Sequence, residues 1–127
     1  MNNLLLIGLG GFIGAILRYG ISGYIQGWSR SNAFPVGTLG VNVLGCFVIG
    51  LLSQLAETHG LFSSETRSLL FIGFLGAFTT FSTFGNDTMN LLQSTKPWLS
   101  ITNVSAHVVL GLIAIWAGRG LSLFVWK

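Results

Sequence analysis

The residues of this chain able to do chemistry crowd into one stretch, Phe78-Thr79-Thr80-Phe81-Ser82-Thr83-Phe84. It offers neutral hydroxyls and aromatic rings, and no charge. Hydroxyl side chains compete for backbone hydrogen bonds, and threonine is a middling helix former. Gly73 and Gly76 stand just upstream and weaken a helix further. The pattern predicts a break or unwound turn near residues 76–80. Carbonyls freed at such a break offer a cation site. Phe81 and Phe84 are three apart, so a helical segment there puts both rings on one face. An aromatic ring is negative on its face and positive at its edge, so ring edges can meet an anion without gripping it. Ordinary packing is the competing explanation, and spacing alone favours it.

Other polar residues are scattered. Thr38 and Asn42 lie one helical turn apart, with Gly45 and Cys46 continuing their face. The Asn42 amide can donate to an anion or make an interhelical hydrogen bond. Arg18 can draw anions into a vestibule or snorkel to headgroups. Asp87 can line a pore mouth or pair with Arg18. His107 reads as a satisfied packing residue, and His59 as a loop residue. No His, Cys or carboxylate cluster has metal-ligand spacing. No nucleophile–base pair is evident, so the chain does not read as an enzyme. Cys46 is the single cysteine and excludes an intramolecular disulfide.

The elements that hold these residues follow from composition. Of 127 residues, 51% are hydrophobic and 7% charged. A soluble domain is typically about a quarter charged. So little charge cannot cover a water-facing surface, and membrane lipid must do part of that work. The net charge of +3 comes from single, dispersed cations, which is no nucleic-acid footprint. Crossing a bilayer takes about 20 mainly apolar residues in a helix. Residues 4–25, 36–56, 69–92 and 101–125 qualify, leaving no room for a soluble domain. The first is too long for a signal peptide, and Asn2-Asn3 supplies no basic n-region.

Punctuation agrees with these bounds. Pro35 and Pro97 each precede a span. Gly60 suits a helix C′ position, and Ser63 or Ser64 can cap the third helix, with Glu65 near its positive end. Trp28, Trp98 and Trp126 fall near span ends, as interfacial tryptophans do, whereas Trp116 lies deeper and is read as packing. Most of the 18 glycines fall inside the spans, including Gly10 and Gly14 as a GxxxG pair, and read as helix–helix contacts. The run from Gly8 to Gly14 superficially matches a dinucleotide loop, but Ile13 and its place inside a span rule that out.

Orientation should follow the Lys/Arg bias of the loops. Arg67 and Lys127 fall on the side of the N-terminus, Arg30 and Lys96 on the other, and Arg119 and Arg18 add one to each. The bias is close to nil. That predicts dual topology and an antiparallel homodimer.

The motifs together resemble those of the Fluc (CrcB) fluoride channels. Gly37-Thr38-Leu39 with Val41-Asn42, and Gly73 through Thr80-Phe81-Ser82-Thr83-Phe84, are similar to that family's two signatures. Gly14-Ala15-Ile16-Leu17-Arg18-Tyr19 resembles its first-helix motif, and the likeness covers the whole chain. The resemblance implies an all-α integral membrane protein of four transmembrane helices with the third broken. It implies a dual-topology homodimer in the cell inner membrane with two antiparallel pores, exporting fluoride passively and relieving its toxicity. It also implies a central structural sodium ion (Na+) held by backbone carbonyls, which match Gly76 and Thr79. The pore would be lined by Phe81, Phe84, Asn42, Ser82 and Thr83, with Arg18 in the vestibule.

The chain departs from the family pattern at Gly85, where a serine is usual, and at Asp87, where a glutamate is usual. Gly111 and Ile115 stand where the family carries a serine and a threonine on its fourth helix. Gly76-Ala77-Phe78 replaces Gly-Gly-Leu.

Fluoride suits the chemistry. A bare small ion loses tens of kcal/mol of hydration in a dry medium. Neutral donors and ring edges replace that water while leaving exit possible. A small dual-topology multidrug/proton exporter is the main rival. Such a carrier needs an acid in its first span, and residues 4–25 contain none. A non-transporting assembly subunit would have no use for hydroxyls at mid-membrane.

Overall fold

A computed structural model describes residues 2–126 and is all-helical. Lys127, counted in the charge balance above, lies outside them. Four helical stretches are long and apolar enough to cross a membrane: Asn3–Ser29, Val36–His59, Ser64–Leu92 and Trp98–Val125. They contain the four stretches expected from sequence and run a few residues beyond most of their ends.

Helix α1 (Asn3–Ser29) starts at Asn2, whose side chain accepts from the Leu4 N–H, and stops at Arg30 in the left-handed region. Helix α2 (Val36–His59) follows Pro35 and ends at Gly60, whose φ of 60° needs no Cβ accommodation. The third stretch is composite. Ser63 caps α3 (Ser64–Arg67) by accepting from the Thr66 N–H. A π-helical segment (Ser68–Leu75) and a short α4 (Gly76–Phe78) follow. Thr79 and Thr80 are then extended, and α5 (Phe81–Leu92) begins. The last helix, α6 (Trp98–Val125), starts after Pro97.

What the first and last of these helices bury is small or polar. Within α1 only Gly10 and Gly14 are buried, while Leu4, Leu5, Phe12 and Ile16 face outward. Helix α6 buries Ser100, Asn103, Gly111, Gly118 and Ser122 and turns Ile101, Leu112 and Phe124 outward. A water-soluble bundle does the reverse. In lipid no hydrophobic force draws helices together, so close backbone contact at small residues does that work.

The glycine contacts are specific. A Cβ at Gly10 would collide with the Leu69 carbonyl, and one at Gly14 with the Phe74 carbonyl. These two positions seat α1 on the π-helical segment. Gly50 sits against the Ile115 backbone and Gly118 against Phe47, which joins α2 to α6. The α2–α6 and α1–π contacts are the most extensive in the chain. Gly8, by contrast, has nothing within 4 Å, so it contributes no packing inside the chain. Trp116 also departs from expectation. It is 77% exposed, because Gly118, two positions on and hence across the helix, faces α2.

Candidate functional site

Asn42 organises the site. Its Oδ1 accepts the Thr80 N–H at 2.8 Å, and its Nδ2 donates to the Thr80 carbonyl at 3.1 Å. One amide thus brackets both backbone groups of a residue outside any helix. Helix α2 can come that close because Gly45, on the Asn42 face, lets the Thr79 methyl lie where a Cβ would be.

Those bonds divert donors from their helical acceptors. In a continuous α-helix the Thr80 N–H would bond the Gly76 carbonyl, and the Thr83 N–H the Thr79 carbonyl. Here the Thr80 N–H goes to Asn42, and the Thr83 N–H goes to the Thr80 hydroxyl at 3.2 Å. Thr80 is accordingly the N-cap of α5. Its Oγ1 also meets Thr83 Oγ1 at 3.0 Å and Ser82 Oγ at 3.4 Å. Thr79 turns its own hydroxyl back to the Leu75 carbonyl at 2.9 Å. The carbonyls of Gly76 and Thr79 lose the donors that helix continuity would have sent them. They are hard oxygen donors of the kind that metal cations take. Among the described residues no group of His, Cys, Asp or Glu is arranged to hold a metal.

The two rings follow directly. Phe81 and Phe84 have centroids 5.5 Å apart. Phe81 is 83% exposed, a large aromatic with no cover from its own chain. Phe84 lies against His107 of α6, with centroids 4.4 Å apart. Both rings line a cavity of about 530 Å³ together with Asn42, Cys46 and His107. Ile115 lines it as well, whereas Gly111 packs toward Cys46 Sγ. Ser82 is exposed and Thr83 half-buried, both in the first turn of α5 after the extended Thr79 and Thr80.

Arg18 and Asp87 share a second cavity, of about 920 Å³, between the helix ends that carry Lys96. They do not pair. Asp87 Oδ2 accepts from the Thr38 hydroxyl at 2.8 Å, and the buried Nε of Arg18 has no partner. Arg18 also lines a smaller cavity with Gly76, Thr79 and Ser82. The one ion pair among the described residues is Arg119 with Glu57, 3.4 Å apart at an exposed end.

Two residues absent from the sequence reading belong to the site. Asn103 is fully buried, and its Nδ2 donates to Thr88 Oγ1 at 3.0 Å. Thr88 in turn donates to the Phe84 carbonyl at 2.7 Å. The signal was present in the spacing. Phe84 and Thr88 are four apart on one helix, and Asn103 and His107 four apart on the next, so two polar faces are matched.

Comparison with known proteins places the chain in a family. Residues 5–119 match the model of the CrcB-like protein family, Camphor Resistance (CrcB). The chain belongs to this family. Relatives of the CrcB-like chain span nearly its whole length. A protein of Methanosarcina acetivorans called fluoride-specific ion channel FluC 1 is 51% identical over 94% of this chain and 89% of its own. Fluoride-specific ion channel FluC 3 of Methanosarcina barkeri is 48% identical over 98% and 93%. Fluoride-specific ion channel FluC of Shewanella baltica is 49% identical over 95% and 96%. A CrcB-like chain with four apolar helices is a membrane protein.

Proposed function

We propose that this protein is a fluoride-selective channel that lets fluoride leave the cell passively across the inner membrane and so relieves its toxicity. The observation that carries the reading is near-complete coverage by relatives called fluoride-specific ion channels, on a chain whose Phe81 and Phe84 line one cavity with Asn42. It is not an enzyme.

The physical case is as follows. Asn42 uses its oxygen and one N–H on Thr80, which leaves one amide N–H for an anion. Ser82 and Thr83 add hydroxyls, and the ring edges of Phe81 and Phe84 add weak positive potential. No lysine or arginine lines this cavity, so binding stays weak enough for release. Arg18 supplies the attractive field at the vestibule, and Asp87, fixed by Thr38, shapes its mouth. The usual hydroxyls of the fourth helix are replaced by Gly111 and Ile115, and polarity on α6 moves to Asn103 and His107.

The working unit we propose is an antiparallel, dual-topology homodimer whose third helices are broken at Thr79 and Thr80. The exposure of Phe81 and the open space over Gly8 favour a second copy. Two-fold symmetry would bring four carbonyls together, from Gly76 and Thr79 of each copy. Those oxygens would hold a sodium ion, which would neutralise the converging carbonyl dipoles at the centre.

Fluoride efflux from liposomes, read with a fluoride electrode, tests the channel. Silence from correctly folded dimer ends this reading, and chloride flux of comparable rate ends the selectivity. C-terminal reporter fusions test the topology, which fails if the tag is found on one side only. Coupled uptake of protons with export of organic cations would favour the small exporter instead.

A further inference from the structure

Helix α1 follows the third helical stretch one turn at a time. A Cβ at Gly10 would meet the Leu69 carbonyl and the Phe74 nitrogen, and one at Gly14 the Phe74 carbonyl and the Phe78 nitrogen. Four residues along α1 thus carry the contact four residues along its neighbour. Arg18 is next in this row, four residues after Gly14. The row then reaches the level of the extended Thr79 and Thr80 and the start of α5. There Arg18 lines a cavity of about 340 Å³ with Gly76, Thr79, Thr80 and Ser82.

The Arg18 side chain is uncommitted. Among the described residues it forms no ion pair, and its Nε has no hydrogen-bond partner. No carboxylate lines the small cavity. Asp87 is the one carboxylate of the larger cavity that Arg18 also lines, and it accepts from Thr38. The small cavity offers oxygen instead. Its walls include Gly76 and Thr79, whose carbonyls have lost their helical donors, and the hydroxyl residues Thr80 and Ser82. A guanidinium only donates hydrogen bonds and a carbonyl only accepts them, so the two are complementary.

We propose that Arg18 is the chain's own counter-cation at the helix break. Its guanidinium and a bound sodium ion draw on the same carbonyl dipoles and repel each other. Without sodium, Arg18 faces the break and steadies it; with sodium, it turns toward the larger cavity. The two cavities that it lines provide both positions. The proposal rests on the reading of Gly76 and Thr79 as a cation site. Two unit charges about 8 Å apart, at an effective dielectric of about 20, repel enough to weaken binding about thirtyfold, and salt screening leaves about tenfold.

Thermal unfolding of the detergent-solubilised protein tests this, with sodium chloride replacing N-methyl-D-glucamine chloride at constant ionic strength. A ligand that binds only the folded protein stabilises it once its concentration passes the dissociation constant, so the onset of stabilisation reads the affinity. Arg18→Gln should move that onset to about tenfold lower sodium. It should also unfold below wild type without sodium, and the gap should narrow as sodium rises. Arg18→Lys keeps the charge and should respond as wild type does. An unchanged onset in Arg18→Gln would overturn the proposal and leave the cation site standing. No sodium effect in wild type or in either variant would remove the cation site, and the proposal with it. Should Arg18→Gln fail to fold, wild type alone decides. Linkage is reciprocal, so sodium must drive Arg18 outward. Phenylglyoxal should then modify Arg18 severalfold faster in sodium than in N-methyl-D-glucamine, with Arg30, Arg67 and Arg119 as references in the same peptide map. Equal rates at Arg18 would overturn the proposal.

Discussion

Removing the Asn42 amide should unlock the helix break. Asn42→Ala deletes two hydrogen bonds, at 2.8 and 3.1 Å, and orphans both backbone groups of Thr80. Interhelical bonds in membranes average about 0.6 kcal/mol, and bonds in soluble proteins about 1, with more lost when a buried group is left unpaired. Two such bonds with two orphans come to about 2 kcal/mol. An effect of that size changes a two-state population up to about thirtyfold. The chain has a way to recover part of it, by letting the Thr80 N–H return to the Gly76 carbonyl. That would close the break, reclaim the proposed cation ligand and swing Phe81 off its present face. Flux should therefore fall further than stability does. Asn42→Leu separates polar from steric causes, because it refills the volume without restoring either bond. The assays are detergent unfolding for stability and liposome efflux for function. If Asn42→Leu restored wild-type unfolding and flux, Asn42 would be a spacer and the bracing argument would be refuted.

Phe81→Ile and Phe84→Ile should each slow fluoride efflux while gel filtration shows the same elution as wild type; wild-type rates in both would leave the rings as packing only. Gly50→Ala should destabilise by about 1–3 kcal/mol, since its Cβ would strike the Ile115 backbone, which cannot yield as a side chain can. Gly20→Ala, with nothing within 4 Å, is the control and should unfold like wild type. Thr38→Val should cost about 1.5–3 kcal/mol, the range for a hydrogen bond to a charged group, and should free Asp87 within the vestibule. Restoration of wild-type unfolding by the double variant with Asp87→Leu would confirm that the pair acts together.

Much of the fold was legible because few residue types are used, and each has one job. Proline and glycine mark helix ends, runs of about 20 apolar residues mark spans, and Ser63 marks a cap by its hydroxyl. The π-helical segment was not legible. Its cause is tertiary: Gly10 and Gly14 bring the α1 backbone against residues 69–78, and no local pattern announces that. The Arg18–Asp87 alternative failed for a similar reason. Spacing cannot say that Thr38 reaches Asp87 first. His107 was read as satisfied, which holds for Nδ1 and not for Nε2. One residue type can carry both answers, one on each ring nitrogen.

The stretch from Phe78 to Phe84 does two opposite things, and a single rearrangement produces both. Every backbone N–H withdrawn from the helical ladder leaves a carbonyl behind it. Thr80 gives its N–H to Asn42, and Thr83 gives its own to the Thr80 hydroxyl. The carbonyls released at Gly76 and Thr79 create negative potential where α4 ends. The amide of Asn42 and the hydroxyls of Ser82 and Thr83 lie beside them, where α5 starts with its positive helix end. The proposed cation ligand set and the proposed anion-facing donor set thus arise from the same two diverted bonds. Through Thr80, neither can be strengthened alone. With the proposed sodium site at these carbonyls, a variant that pulls Thr80 back into a helix weakens cation binding and fluoride conduction together, so any substitution that separates the two effects must act beyond Thr80.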